Sequence, residues 1–433
     1  MKNRRSLTWR VVNLCLTLLV LQLPALGLAQ DTKSQTAKSP AGKSQADANS
    51  PADANSQLDA NPQLDANPQL DAPERDLLDA TQWQRIDESV VRSLEWLSDQ
   101  QKPDGSFPTV AGGQPAVTSL CVMAFASHGH LPGQGKYGKQ LEKAIEYIIG
   151  CQKRSGILAL ECPNTEKIPR TLNRDSSNNA VYNHAISATV LSEMYSLASG
   201  TEKQGQAIEK ALAATLTMQK WPKNYDAELG GWRYLNRETT DVSQSDLSVT
   251  AWQVMFLRSA KNSGFDVPAE PLADAVKYVL GTFNPKMKTF SMFDTKRPPH
   301  GFSRGMAGAG ILALAHSGVH NRPENIASAE FMLRVPCVPY GKDDPLKVGG
   351  DWYPDRYHYS AFIATQAMYQ MGGKYWKQHF PPTAEALVTN QSPDGSWPAE
   401  KHQYDARFGN AYTTALVALA LGAPNQLLPV FQR

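Results

Sequence analysis

The chain has 433 residues, with 43 Lys and Arg against 41 Asp and Glu. So even a balance leaves no surplus of positive charge to neutralise a phosphate backbone, and nucleic acid is not an expected partner. About 350 residues lie beyond the N-terminal 80, enough for one large domain or for a repeat array closed on itself.

The N-terminus opens Met1-Lys2-Asn3-Arg4-Arg5, runs through the apolar stretch Val11 to Leu28, and reaches the small-residue pattern Gly27-Leu28-Ala29. A basic start, an apolar middle and a small-residue exit read as a signal peptide over residues 1–29, so the protein is expected in the periplasm or outside the cell. An uncleaved membrane anchor is the alternative, because 18 residues nearly span a bilayer; Pro24 weakens it. Residues 30–78 follow as a low-complexity segment containing the near-repeats Gln57-Leu58-Asp59-Ala60-Asn61-Pro62, Gln63 to Pro68 and Gln69-Leu70-Asp71-Ala72. It has too little apolar area to offset its chain entropy, and is expected to be a disordered tether that spaces the rest from an envelope surface.

The folded part, residues 79–433, carries an internal repeat. Its clearest copies are Gln100-Gln101-Lys102-Pro103-Asp104-Gly105-Ser106-Phe107 and Asn390-Gln391-Ser392-Pro393-Asp394-Gly395-Ser396-Trp397. Weaker copies lie at Cys151-Gln152-Lys153, at Met218-Gln219-Lys220 with Gly230-Gly231-Trp232, and at Phe283-Asn284-Pro285. Gly permits the turn, Asp bonds backbone amides, and the aromatic ring is expected to pack between neighbouring hairpins. Helices before these marks are apolar on one side only, as in Trp83, Ile86, Val90, Leu94 and Leu97. Alternating with them are six more uniformly apolar helices, at about Ala116 to Ser127, Tyr182 to Leu197, Asp246 to Ser259, Arg304 to His316, His358 to Met371 and Asn410 to Leu421. A helix apolar most of the way round is buried on most sides. The pattern therefore predicts an all-α fold, an α6/α6 toroid: a closed barrel of six helical hairpins whose inner six helices line a cavity. An even count of cysteines in the mature chain permits disulfides without demanding them; Cys151 and Cys162 close the shortest loop and are the pair best placed to form one, whereas Cys121 sits in an apolar run. No CxxC spacing supports a zinc site, and neither metal nor cofactor is expected.

Gln101 to Phe107 and Gln391 to Trp397 resemble the QW motifs of squalene-hopene cyclases, a repeat shared with the protein prenyltransferase β-subunits. Within that superfamily, Asp246 to Gln253, Ala367-Met368-Tyr369-Gln370 and the ending Leu428 to Arg433 are most similar to exported bacterial proteins with prenyltransferase and squalene-oxidase repeats. The resemblance implies the toroid and not an activity. Cyclases of this kind protonate an alkene with the middle Asp of an Asp-x-Asp-Asp-Thr-Ala motif. The matching stretch here, Asp246-Leu247-Ser248-Val249-Thr250-Ala251, has Ser248 at that place, and a hydroxyl does not protonate an alkene. The zinc ligands of prenyltransferases are matched only by the His of Asp355-Arg356-Tyr357-His358; Ser303-Arg304-Gly305-Met306 stands where Asp-x-Cys belongs. A thioester segment of the complement type is absent.

A toroid points the starts of its inner helices into one end of the cavity, so the polar residues there are the candidate site. His184, His358, Tyr359, Asp246 and Arg304 are the candidate acid-base groups, and Asn183, Trp232, Trp352, Tyr357 and Tyr412 the candidate ligand contacts. Asn183 and Asp246 read equally well as helix N-caps, His184 as a loop contact, and Arg304 as the partner of Asp246 or of a loop carboxylate. Three functions remain open. The first is a cavity that binds an isoprenoid or another apolar small molecule. The second is a polysaccharide-active, lyase-like enzyme in which Asn183 or Arg304 neutralises a carboxylate while His184, His358, Tyr359 or Tyr412 moves a proton. The third is a scaffold for protein contacts, associated with the envelope through the tether.

Overall fold

The computed structural model describes residues 75–163, 174–221, 223, 225–235, 245–295, 301–342 and 355–433. The leader, the expected tether up to residue 74 and Trp352 lie outside these residues; the last four residues read as tether instead form a 3-10 turn at Arg75–Leu77 and bury Leu78 in the core. The outer helices are α1 (Ala80–Gln100), α3 (Gly138–Gly150), α5 (Glu202–Gln219), α7 (Ala269–Gly281), α9 (Pro323–Arg334) and α11 (Gly373–Thr389). The inner ones are α2 (Ala116–Ala126), α4 (Arg174–Leu197), α6 (Leu247–Asn262), α8 (Arg304–His316), α10 (Tyr357–Met371) and α12 (Gly409–Leu421). Each inner helix packs on the next and α12 packs on α2, which closes the ring into the α/α toroid expected from the sequence. Among the described residues no helix is long and apolar enough to cross a membrane.

The two classes of helix differ as their sequences do. In α1 the stripe Ile86, Val90, Leu94 and Leu97 is buried while the opposite face is exposed, and Asp79 and Gln82 cap the start reciprocally. Every residue of α2 and of α8 is buried. The start of α4 departs from expectation: the helix begins at Arg174 rather than near Tyr182. Its first turns, rich in Ser and Asn, lack an apolar period because part of this stretch forms a polar cavity rim instead of packing into the core.

The corners between hairpins explain the repeat. At four of them a glutamine amide bonds the carbonyl of its own turn and a carbonyl of the next outer helix. Gln101 Nε2 donates to Gly105 O at 3.0 Å and Gln140 O at 2.8 Å. Gln152 does so to Gly156 O and Ala207 O, Gln219 to Gly230 O and Pro271 O, and Gln391 to Gly395 O and Ser89 O. The last joins the end of α11 to α1 and so fastens the ring. The corner glycines have positive φ, and a Cβ on Gly230 would stand 2.2 Å from the carbonyl oxygen of Asp274 on the next outer helix. After the turn, the backbone N–H of Phe107, Trp232 and Trp397 donates to Thr118, Thr250 and Thr414 respectively, each at 3.0 Å, pinning the corner to an inner helix. The weak mark at Phe283 is instead a two-residue hairpin, β1 (Phe283–Asn284) against β2 (Thr289–Phe290).

Cys151 and Cys162, the pair singled out from the sequence, are both free thiols. Beyond the Gln152–Leu158 bridge the chain leaves the corner, with Leu160 N donating to Gln114 O at 3.0 Å, while Cys151 is buried at the end of α3 beside Tyr147.

Candidate functional site

The starts of the inner helices surround a cavity of about 440 Å³. One to two turns down, its wall is apolar: Val117 and Leu120 of α2, Ile186 of α4, Trp252 of α6, Met306 of α8 and Leu416 of α12. Below that level the barrel axis is filled. Trp252 stacks on Phe362 at 6.2 Å, and Phe362 meets Phe431 edge-on at 5.8 Å. The C-terminal segment holds this seal, with Val430 N donating to the buried Glu193 carboxylate at 3.0 Å and Gln370 Nε2 donating to Phe431 O at 2.9 Å. The rim carries Asn178, Asn179, Asn183, Asp355, Arg356, Asp405 and Arg407. Between rim and floor stand the rings of Tyr182, Tyr234, Tyr359 and Tyr412. Burial raises the pKa of all four phenols, so they stay neutral at ordinary pH.

The candidates from the sequence are dispersed rather than gathered. His184, Asp246, Arg304 and His358 do not bond one another, and none of the four lines the cavity. His184 faces outward to α5, accepting from Leu158 N at 3.2 Å and meeting Thr215 Oγ1 at 2.9 Å. The Leu158 bond is the corner contact that Thr118, Thr250 and Thr414 make elsewhere, so His184 holds a place in the repeat. Arg304 is buried and pairs with a loop carboxylate, Asp355, while its other nitrogens donate to Pro336 O at 2.8 Å and Lys342 O at 2.7 Å. His358 lies between Glu400 (Nδ1 to Oε2, 2.9 Å) and the hydroxyl of Tyr340 (2.8 Å from Nε2), locking two loops together. Tyr357 donates to Cys337 O at 2.7 Å in the core. Trp232, expected at the cavity mouth, is fully buried in its corner, with Nε1 donating to Thr215 O at 2.8 Å. Trp352 falls outside the described residues.

Three candidates do reach the cavity: Asn183, Tyr359 and Tyr412. Asn183 also anchors the start of α2, accepting from Ala116 N at 3.0 Å and donating to Gly112 O at 2.9 Å. Asp246 stands one residue behind the wall. It caps α6 through Ser248 N at 2.8 Å and Val249 N at 3.3 Å, and accepts from the hydroxyls of Ser248 at 2.5 Å and Tyr234 at 3.1 Å. Tyr182 OH lies 2.6 Å from Ser248 Oγ. The single proton of Ser248 is committed to Asp246, so Tyr182 donates to Ser248.

Both carboxylates in the described wall are held in ion pairs. Asp355 engages Arg304 and Ser360, and Asp405 engages Arg356 Nε at 2.7 Å; burial raises both pKa values against the pull of these partners. Sequence reading missed the Arg356–Asp405 pair, since the two lie in separate loops with no shared spacing. It also missed Trp252 as a wall residue, although Trp252 follows Ser248 by one helical turn and so shares its face. Among the described residues no group of three or more His, Cys, Asp or Glu side chains is placed to hold a metal ion.

No family model matches the sequence, and no curated protein matches it by sequence. Solved structures match in fold. A variant of the type II terpene cyclase MstE from Scytonema, in complex with geranylgeranyl dihydroxybenzoate, is 14% identical, with a TM-score of 0.50 over 81% of this chain and 100% of that one. A glycosidase variant in complex with glucose is 10% identical, with a TM-score of 0.51 over 81% and 100%. Cellobiose 2-epimerase from Bacillus thermoamylovorans is 11% identical, with a TM-score of 0.52 over 78% and 98%. The chain thus shares the α/α toroid with terpene cyclases and with carbohydrate-active enzymes.

Proposed function

We propose that the protein is an exported binding protein whose cavity holds an isoprenoid or similarly apolar molecule without cyclising it. The observation that carries this reading is the cavity wall below the rim, where Val117, Leu120, Ile186, Met306 and Leu416 present only hydrocarbon and thioether surface. A volume of about 440 Å³ is within the range of small-molecule sites. A carbohydrate hydroxyl placed against these five side chains would go unpaired, at a cost of about 1–3 kcal/mol each, whereas one held at the rim would meet Asn183 and the tyrosines. Against catalysis stand Ser248 in place of an acid and the ion pairing of Asp355 and Asp405, since alkene protonation needs a carboxylic acid free to give up its proton. Asn183, Tyr359 and Tyr412 are ligand contacts in this reading, and the N-terminal leader and tether put the toroid at the envelope.

Native mass spectrometry of the mature protein from its own envelope fraction, with organic extraction of what is bound, tests the proposal. A co-purifying isoprenoid or other lipid is expected. An empty protein that also takes up no polyprenol would overturn the reading and turn attention to uronic-acid polymers.

A further inference from the structure

The end of the barrel opposite the cavity mouth is closed by the segment Leu428–Phe431, which a buried carboxyl group helps to hold in place. Glu193, 1% exposed, has one oxygen 2.5 Å from Ser259 Oγ of α6, and the other accepts from Val430 N at 3.0 Å. Phe431 lies edge-on against Phe362 and beside the ring of His316, and Gln370 Nε2 donates to Phe431 O at 2.9 Å. Glu193, Ser259, His316 and Gln370 all stand in the last two turns of inner helices, whose starts surround the cavity. Among the described residues no cation pairs with Glu193. Arg258 of α6 acts on His316 and His320, Lys261 is exposed, Arg433 lies over the ring of Tyr369, and His128 bonds Ala418 O. A carboxylate buried without a cation is costly. The neutral acid, by contrast, is fully bonded: its proton goes to Ser259 Oγ, whose own proton reaches Thr189 O at 3.4 Å, while the second oxygen still accepts from Val430. Burial accordingly raises the pKa of Glu193 to about 7.

We infer that Leu428–Phe431 is a pH-released seal: with Glu193 protonated it stays over Phe362, and ionisation of Glu193 favours a state in which the segment swings out, water reaches the carboxylate, and the end of the barrel opposite the mouth is uncovered. The closed form keeps its proton up to about pH 7, whereas a hydrated glutamate loses it near 4.5. Rising pH therefore favours the open form: the stabilisation from the protonated seal is complete below pH 4.5 and is lost as pH passes 7. His128 and His316, whose pKa values burial lowers to about 4 and about 3, stay neutral between pH 6 and 8.

Hydrogen exchange of the Val430 and Phe431 amides in the full chain, corrected for the intrinsic rise of exchange with pH, reads the opening. Between pH 6 and 8 the wild-type opening constant is expected to rise on the order of ten-fold, and to stay above that of the α2 amides, which marks local rather than global opening. Glu193→Gln keeps an oxygen for Val430 N and carries no titrating proton, so its protection is expected to stay flat over the same range. Wild-type protection that does not change between pH 6 and 8 would overturn the seal, whether or not the variant folds. So would a rise that persists in Glu193→Gln, or opening at Val430 no more frequent than in α2. No ligand enters these measurements, so the result is independent of the apolar-ligand reading.

Discussion

At four corners of the ring a glutamine amide, a glycine with positive φ and a pinned backbone N–H recur in the same relation, and both donors of each glutamine are used. The cavity wall has no such recurrence. Among its aromatic residues, Tyr182, Trp252, Tyr359 and Tyr412 occupy different turns of different helices, and Tyr234 stands in the chain before α6. Repetition marks where the molecule spends sequence on closing the ring, and departure from repetition marks where it can spend sequence on a ligand. The expected consequence is a division of effects: corner substitutions should act on stability, and wall substitutions on binding.

The largest effect is expected at a corner glycine. Gly230 has φ +86°, and a Cβ there would press on a backbone carbonyl that belongs to the next helix and cannot rotate away. Gly230→Ala should therefore cost about 3 kcal/mol or more, from left-handed strain together with displacement of α7. Urea unfolding monitored by circular dichroism measures it. A loss under about 1 kcal/mol would show that the corner is compliant, and the division between the two regions would lose its basis.

His184 tests the comparison from the other side, because it was expected in the cavity and sits in a corner. Thr215 gives its own proton to Gln253 Oε1 at 2.9 Å, so His184 Nε2 must donate to Thr215 and Nδ1 must accept from Leu158 N. Both ring nitrogens are thus assigned in the neutral form, and a second proton would meet the Leu158 N–H. Burial lowers this pKa to about 3. Because that is below the ordinary histidine value near 6.5, the unfolded chain binds more protons between the two. The stabilisation is present in full above pH 6.5 and is lost as pH falls toward 3. His184→Ala should cost about 2 kcal/mol at pH 7 by stranding two buried partners. His184→Thr, which copies the acceptor used at Thr118, Thr250 and Thr414, should cost less and should flatten the decline between pH 6.5 and 4. Melting curves across that range decide it; a Thr variant as damaging as Ala would deny the equivalence of the corners.

The sequence carried the ring and much less of the cavity, for a physical reason. Burial on all sides of α2 and α8, and on one side of α1, follows from apolar periodicity within each helix, and the corners follow from the turn chemistry of Asp104-Gly105 and Asp394-Gly395. What periodicity does not carry is which neighbour a buried polar side chain finds. Arg304 and His358 start inner helices and His184 lies within α4, yet each turns away from the axis to bond the 336–342 loop, Glu400 or α5 respectively. The length of chain between a corner and its inner helix also varies, which hides the register that equates His184 with three threonines. Arg356 and Asp405 meet only because α10 and α12 are neighbours in the closed ring.

The smallest effect on stability should come from the wall itself, at Ser248. Its hydroxyl connects Tyr182 to Asp246, but Asp246 keeps its bonds from Ser248 N, Val249 N and Tyr234 when that hydroxyl is gone, so the cap on α6 survives Ser248→Ala. A loss of about 1 kcal/mol is expected: two buried hydrogen bonds go, the one from Tyr182 and the one to Asp246, but Asp246 keeps its other donors and Tyr182 is free to reorient its proton. Urea unfolding of Ser248→Ala beside the wild type measures it. If Ser248→Ala instead unfolds the protein as readily as Gly230→Ala, the relay through Asp246 belongs to the framework that closes the ring, and the wall is built by the same rules as the corners.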